Sequence, residues 1–147
     1  MKTINKSFLI DADHKKVFES FVNPEEIKKW LRAHSAVVVV CEKGPYSIGW
    51  DASNDGDFYC CSGKIKKVKK NKFLHIGELN YYCESKKSIG PIELMFSFNR
   101  KHKGTEICFK LIGRKKQTAY SKNFDAVFYS WEEAFYLLKK YLERKNV

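Results

Sequence analysis

The segment DASNDGD, residues 51–57, carries oxygen-bearing side chains at alternate positions, as the start of a calcium-binding loop does. Gly56 occupies the sixth position, where such a loop turns sharply. The twelfth position, which should be a bidentate glutamate, is Ser62, and strand-like segments replace the flanking helices. We therefore interpret the segment as a turn between two strands and predict no metal site.

The cysteines and histidines form no catalytic or zinc-binding pattern. Cys60 and Cys61 are adjacent, so in a strand their side chains point to opposite faces, and no histidine is near them. The chain has 5 cysteines and no C-x-x-C pair, which favours free thiols over a disulfide scaffold. The histidines are isolated, and no G-x-S-x-G motif is present. The residues therefore predict no catalytic set and no cofactor, and they favour a non-enzymatic function.

A few polar residues on predicted strands are candidates for a pocket. His75 has aromatic neighbours, although a surface or hydrogen-bonded sheet histidine is the more usual case. Glu78, Glu84 and Glu93 could act as a base if one of them pointed inward, whereas solvated carboxylates are the ordinary alternative.

The net charge of +11 raises the possibility of an anionic partner. The densest cluster is GKIKKVKKNKF, residues 63–73, with six lysines around two apolar residues. Lysine is less suited than arginine to bidentate phosphate or base contacts, and charged strand edges also resist aggregation. We interpret the cluster as a solvated hairpin and do not predict nucleic-acid binding, with an anionic polymer kept as an alternative.

Length and composition predict a single globular domain over residues 1–147. Hydrophobic residues make up 44% of the chain and aromatic residues 15%, which argues against disorder. No apolar run reaches the roughly 20 residues of a membrane span, and the N-terminus does not resemble a signal peptide. We therefore predict no membrane span and a cytoplasmic location; the oligomeric state is not predicted.

The first 31 residues predict a strand and two helices. Apolar and polar residues alternate over residues 2–10, as they do in a strand. Over residues 11–22 the apolar residues have helical spacing, and Asp11 or Asp13 is the predicted N-cap. Asn23 and Pro24 predict the start of a second, very short helix that ends near Trp30, with Glu26 completing a capping box.

The following segments, up to residue 113, predict an antiparallel meander of short strands. The predicted strands are AVVVVC, YSIGWDAS, DFYCCSGKIKKV, KFLHIGELNYYCE, IELMFSFNR and TEICFKLIG. NDG at residues 54–56, KKN and KHKG predict turns, and SKKSIGP at residues 85–91 predicts a loop.

The C-terminal segment predicts one long amphipathic helix. Apolar residues recur there at steps of three and four over about five turns, or roughly 30 Å. They are Phe124, Val127, Phe128, Trp131, Ala134, Phe135, Leu138, Tyr141 and Leu142. Such a face must pack against a large apolar surface, and the sheet is the candidate.

This order of elements and several motifs resemble the activator of heat-shock protein 90 ATPase homologue family, a branch of the START-like (SRPBCC) superfamily. The motifs are FLIDADHKKVFESFVNPEEIKKWL, GPYSIGW, GKIKKVKKNKFL and SWEEAFYLLKKYLE. The chain departs from the family pattern at Gly44-Pro45, where many members have two glycines. The resemblance implies an α+β helix-grip (START/Bet v-like) fold: a curved antiparallel sheet wraps around the long C-terminal helix, with two short helices after the first strand. It also implies co-chaperone-like contact with a heat-shock ATPase.

Large apolar side chains of the sheet and the long helix predict a cavity for a hydrophobic or amphipathic small molecule. The predicted lining residues are Trp30, Trp50, Phe96, Phe98, Phe109, Phe128, Trp131, Phe135 and Leu138. The alternative is that the same side chains fill the space completely, so that the domain has a packed core and binds a protein partner.

Overall fold

The computed structural model describes residues 2–50, 59–83, 86–113 and 118–144, and within them the side chains of residues 3–50, 60–82, 88–113 and 130–143. The elements in chain order are β1 (Lys2–Ile10), α1 (His14–Val22), α2 (Pro24–Trp30), β2 (Ser35–Val38), β3 (Pro45–Trp50), β4 (Tyr59–Lys69), β5 (Phe73–Cys83), β6 (Lys86–Lys101), β7 (Gly104–Gly113) and α3 (Thr118–Arg144).

The strands form one 7-stranded sheet in the order β1-β7-β6-β5-β4-β3-β2, and every neighbouring pair is antiparallel. The strands β2 to β7 follow one another as the predicted meander, and β1 adds to the outer side of β7. Register shifts interrupt the β4–β5 and β5–β6 ladders, and such bulges bend and twist strands. The curved sheet, two short helices and a C-terminal helix are consistent with the helix-grip fold.

Alternation along the strands decides which face of the sheet is buried. In β7, residues Thr105, Ile107, Phe109 and Leu111 are buried, while the residues between them are more exposed. The buried residues point toward the helices, so we refer to this as the inner face and to the opposite one as the outer face.

Side chains cap both short helices, as the sequence predicts. Asp13 accepts a hydrogen bond from the backbone N–H of Lys15, and Asn23 accepts one from the backbone N–H of Glu25. The predicted capping box is wrong, because the backbone N–H of Asn23 donates to the Glu19 carbonyl at the end of α1. Glu26 instead accepts a hydrogen bond from the Tyr141 hydroxyl.

Two predicted boundaries differ from the structure. The strand predicted through Cys41 ends at Val38. The segment predicted as a loop at residues 85–91 forms, from Lys86 onward, the first part of β6, which pairs with β5. Its serine, lysine and glycine content suggests a loop, but pairing with a neighbouring strand overrides local composition.

The helix α3 is longer than predicted. It has 27 residues, which corresponds to about 40 Å at the helical rise per residue. In its described C-terminal half, Trp131, Ala134, Phe135, Leu138 and Leu142 are buried. In this half of the helix the predicted apolar stripe is therefore the face that packs on the core.

Candidate ligand site between the sheet and the long helix

Trp30 is buried where the two short helices meet the core. Its indole N–H donates a 2.7 Å hydrogen bond to the carbonyl of Ser20 in α1, and its ring lies 5.4 Å from that of Phe21. From the sheet, the Tyr46 hydroxyl donates to the carbonyl of Phe21, also at 2.7 Å. These bonds satisfy buried polar groups and hold the short helices against the sheet. Packing and capping therefore stabilise α2, which is too short to be stable in isolation.

Aromatic rings from α1, β6, β7 and α3 form one continuous cluster against the inner face of the sheet. We define this ring cluster as Phe21, Phe96, Phe98, Phe109, Trp131 and Phe135. The Phe96 ring is central, with its centroid 4.9 Å from that of Phe21 and 5.3 Å from that of Phe109. Tilted and edge-on rings at these distances attract one another. In this region side chains fill the space between sheet and helix.

The structure brings together most of the predicted lining residues. Buried in this core are Trp30, Phe96, Phe98, Phe109, Trp131, Phe135 and Leu138. Trp50 is only partly buried and donates its indole N–H to the carbonyl of Leu31 at 2.9 Å. Phe128 belongs to α3, but its side chain lies outside the described residues. That these residues line a ligand site stays a prediction.

A polar contact absent from the predicted set lies at the margin of the ring cluster. The indole N–H of Trp131 donates a 2.7 Å hydrogen bond to the hydroxyl of Tyr81 on β5. Tyr81 lies directly opposite Cys61 of β4 in the ladder, and Cys61 lies opposite Ile48 of β3. In the sequence these residues belong to the segments YCC (residues 59–61) and NYYC (residues 80–83). Only the register of the strands shows that Cys61 and Tyr81 are neighbours.

Burial further favours the neutral forms of these polar groups. Desolvation raises the pKa of Tyr81 well above its ordinary value, and it raises the pKa of Tyr46 in the same way. Desolvation also raises the pKa of the Cys61 thiol to about 12, although a backbone hydrogen bond with Ile48 acts in the opposite direction. At neutral pH these groups can donate hydrogen bonds, but they are neither thiolate nor phenolate nucleophiles.

His75 lies on the outer face of the sheet, since its neighbours Leu74 and Ile76 point into the core. Its Nε2 atom is 3.0 Å from Oε1 of Glu93, and both side chains are largely buried. Glu93 also follows a core residue, so this pair faces away from the ring cluster. His75 is thus the satisfied sheet histidine that the sequence allowed as an alternative.

The other candidate groups do not assemble into a reactive site. Glu78 is exposed and lies 3.7 Å from the amino group of Lys64, while Glu84 and the calcium-like segment at residues 51–57 lie outside the described residues. Within residues 2–50, 59–83, 86–113 and 118–144, no three His, Cys, Asp or Glu side chains are arranged to hold a metal ion. Nor does any described helix have the length and apolarity needed to cross a membrane.

The lysine-rich segment forms the β4–β5 hairpin. Lys69 pairs with Phe73 at its tip, and the turn contains Asn71 in the left-handed backbone region. The side chain of Lys66 lies across Gly77, where a Cβ atom would meet it at 2.5 Å. Part of the charged surface therefore has a packing role, because the aliphatic part of the Lys66 side chain covers the backbone of β5 at Gly77, where there is no side chain.

A surface groove of about 730 Å³ lies between β1 and the C-terminal half of α3. Its lining includes Leu9 and Tyr136, which are 65% and 69% exposed, together with Phe8 and Phe135. The groove also has charged residues of both signs, Arg32 and Lys139 with Glu132 and Glu133. This groove is open to solvent and is distinct from the space that the ring cluster fills.

Comparison with solved structures supports the same architecture. A protein from Rhizobium leguminosarum has a TM-score of 0.79 at 17% sequence identity, with 97% of this chain and 95% of that chain covered. A protein from Rhodobacter sphaeroides has a TM-score of 0.78 at 14% identity, covering 97% and 92%. One from Staphylococcus saprophyticus has a TM-score of 0.69 at 20% identity, again covering 97% and 92%. At these identities the similarity shows a shared fold.

No curated protein sequence matched the chain. A family model, described as "Activator of Hsp90 ATPase homolog 1-like protein", matches residues 11–143. The match covers both short helices, the meander and nearly all of α3, which are the elements that carry the resemblance in the sequence. The chain therefore belongs to the family of Activator of Hsp90 ATPase homolog 1-like proteins.

Proposed function

We propose that the chain is a single helix-grip domain that binds a hydrophobic or amphipathic small molecule between the sheet and α3. The observation that carries this proposal is the hydrogen bond from Trp131 to Tyr81 at the margin of the ring cluster. Membership of a START-like family supports it, because ligands of such folds are expected between the sheet and the long helix.

Tyr81 supplies the polar anchor of this proposed site. Its hydroxyl accepts the indole N–H of Trp131, and among the described residues no acceptor receives the phenol proton. At physiological pH the phenol keeps that proton, since the ordinary tyrosine pKa is 10.0 and desolvation raises the pKa of Tyr81 further. A carbonyl, hydroxyl or carboxylate oxygen of a ligand would accept it.

The apolar body of the ligand would lie against the outer rings of the cluster. The ring centroids of Trp131 and Phe109 are 6.0 Å apart, and Trp131 is hydrogen-bonded to Tyr81, the proposed anchor. A few polar groups beside a mostly aromatic wall are typical of small-molecule pockets. The rings around Phe21 pack against one another, so we expect the ligand on the Tyr81 side of the cluster.

Native mass spectrometry of protein purified gently from its own cells tests this proposal. We expect an extra mass relative to the denatured chain, and extraction should identify it as a lipid or an aromatic metabolite. Tyr81→Phe should lose it, whereas Tyr82→Phe, a matched change on the adjacent exposed residue, should retain it. Phe135→Trp should also lose it, since the larger ring adds volume next to Trp131. A bare protein mass would argue against the proposal.

A second candidate function is co-chaperone-like contact with a heat-shock ATPase. Two observations favour it: the ring cluster is filled, and Leu9 and Tyr136 line the exposed groove beside α3. If this function holds, purified protein should stimulate the ATPase of a heat-shock protein 90, and Leu9→Ser with Tyr136→Ser should reduce that stimulation. Tyr81→Phe should leave it unchanged, which separates the two candidates.

A further inference from the structure

Three basic segments that are far apart in the sequence come together at one end of the sheet. They are the start of α1, the tip of the β4–β5 hairpin and the tip of the β6–β7 hairpin. The backbone N–H of Phe98 donates to the carbonyl of Lys72, which places the two hairpin tips side by side. The Thr105 hydroxyl donates to the carbonyl of Ala12, which places the β6–β7 hairpin against the start of α1. The lysine-rich hairpin therefore ends beside two other basic segments.

The side chains of these segments line two open pockets. One of about 630 Å³ lies between the start of α1 and the tip of the β6–β7 hairpin, and one of about 700 Å³ lies beside α1 and the tip of the β4–β5 hairpin. Lys15 lines both pockets. We define the basic end by the cations that line them, which are Lys15, Lys16, Lys70, Arg100, Lys101 and Lys103. All six are exposed, as are Lys69 and Lys72 at the same hairpin tip.

Most cations of the basic end lack a carboxylate partner. Of the six, only Lys101 forms an ion pair with a described carboxylate, that of Glu106 at 3.6 Å. Other surface lysines are paired more closely, as Lys139 is with Glu143 at 2.7 Å. Clustered cations without opposite charges beside them attract anions, and a partner with several negative charges gains most.

The carboxylates at the same pockets do not cancel this positive charge. They are Asp11, Asp13, Glu19 and Glu26. Asp13 caps α1 and lies 2.9 Å from His14, while Glu19 accepts a hydrogen bond from the Asn23 side chain. Even with Glu106 included, there are five carboxylates and eight cations, so the basic end keeps an excess of positive charge.

The cation type and the shape of the basic end favour the phosphates of a flexible chain. Five of the six cations are lysines, which act as point charges toward phosphate, whereas arginine is preferred for bidentate contacts with bases. A rigid duplex or a flat lipid surface meets only the rims of such pockets, but a single strand can follow them. None of the exposed large hydrophobic residues among those described belongs to the three segments, so they offer no apolar side chain for insertion into a membrane.

We propose that the basic end binds single-stranded nucleic acid through its phosphate groups, independently of base sequence. The strand crosses the start of α1, so that its phosphates contact Lys70 on one side, Lys15 in the middle and Lys103 on the other. Residues 14–16, 69–72 and 100–103 contain no phenylalanine, tyrosine or tryptophan on which bases could stack, so charge supplies the affinity. The basic end does not include the ring cluster, and this inference does not depend on the proposed ligand.

Fluorescence anisotropy with a labelled oligouridylate of about 20 nucleotides tests the proposal. We expect a dissociation constant of about 1–100 µM at physiological salt, the usual range for non-specific binding. Each phosphate contact on a single strand contributes about −0.7 to the slope of log K against log salt concentration, so about five contacts predict a slope of about −3.5. An oligocytidylate of the same length should bind within about threefold, and a duplex should bind more weakly.

Charge reversal at three positions tests the location of the site. Lys15→Glu, Lys70→Glu and Lys103→Glu together should weaken binding at least about tenfold and make the salt slope about 2 units shallower. A matched control combines Lys6→Glu, Lys64→Glu and Lys110→Glu, which make the same change in net charge at exposed residues outside the two pockets. The control should change the affinity less than about threefold. If the first triple variant does not fold, Lys70→Glu alone should still make the slope about 0.7 shallower.

Several results would overturn the proposal. Equal losses in the two triple variants would mean that binding follows net charge and not the basic end. Absence of binding at about 50 mM salt, a slope near zero, or tighter binding of the duplex would contradict it directly. Binding to vesicles that contain phosphatidylserine, without binding of the oligouridylate, would assign the basic end to a membrane surface instead.

Discussion

Trp131 on α3 donates its indole N–H to the Tyr81 hydroxyl on β5, the central strand of the sheet, at 2.7 Å. This contact joins the long helix to the sheet through a polar bond at the margin of an otherwise apolar core.

The Trp131–Tyr81 bond should be measurable as a coupling between the two side chains. Tyr81→Phe leaves the Trp131 N–H without its acceptor, and we expect it to lower the free energy of unfolding by about 1–3 kcal/mol. Trp131→Phe also removes apolar volume and should cost more. A double-mutant cycle by urea unfolding should give a coupling of about 1 kcal/mol, and strictly additive costs would contradict the bond.

Asn23 should contribute to stability through its cap on α2. Its side chain accepts the backbone N–H of Glu25, so Asn23→Ala should lower the free energy of unfolding by about 1 kcal/mol. Asn23→Ser keeps a capping oxygen and serves as the control, with stability close to that of the wild type. If both variants lower the free energy of unfolding by the same amount, the capping hydrogen bond is not the cause of the loss.

Cys61 should resist alkylation in the folded protein. Its thiol is buried and its pKa is raised to about 12, so only a very small fraction is thiolate at pH 8. Cys41 is exposed and provides an internal control. Treatment with iodoacetamide followed by peptide mass spectrometry should label Cys41 first and Cys61 only after unfolding. Equal labelling of both in the native protein would contradict the assigned burial.

Glu143 should make the stability depend on pH in the acid range. A hydrogen bond from Lys139, together with the backbone N–H of Asp11, lowers the pKa of Glu143 below its ordinary value of 4.5. A lowered pKa in the folded state stabilises the protein above pH 4.5, and that contribution is lost as the pH falls through the folded-state pKa.

The comparison of wild type with Glu143→Gln isolates this effect. Because the carboxylate is near the surface, we expect a difference of about 0.5 kcal/mol at pH 7. The difference should shrink as the pH falls below 4.5 in chemical denaturation experiments. A difference that grows on acidification would show the opposite linkage.

The parts of the fold that sequence predicts best are those with local causes. Asn23 and Pro24 mark the start of α2 because a cap and a fixed φ angle act within a few residues. The β6–β7 hairpin was equally predictable, since two alternating segments flank a short turn. The apolar spacing of α3 likewise predicts which of its faces packs on the sheet.

The parts that sequence misses depend on residues distant in the chain. The start of β6 is a strand because β5 pairs with it. Glycine is required at position 90 because its φ is +146° and a Cβ atom would meet the backbone carbonyl oxygen of Leu79 at 2.7 Å. Glu26 contacts Tyr141 rather than its own helix cap, and that partner lies 115 positions away. The Tyr81–Trp131 contact also could not be predicted from local sequence, because it depends on the register of the strands and on the orientation of α3 about its own axis.

The pairing of β1 with β7 has a consequence for synthesis of the chain. Ile10 pairs with Thr105, so β1 leaves the ribosome well before β7, its strand partner in the described part of the chain, exists. At typical elongation rates of about 5–20 residues per second, the intervening stretch takes roughly 5–20 s to make. Among the described strands β1 has no partner during that interval, so the first strand made cannot join the sheet until β7, the last strand made, is present.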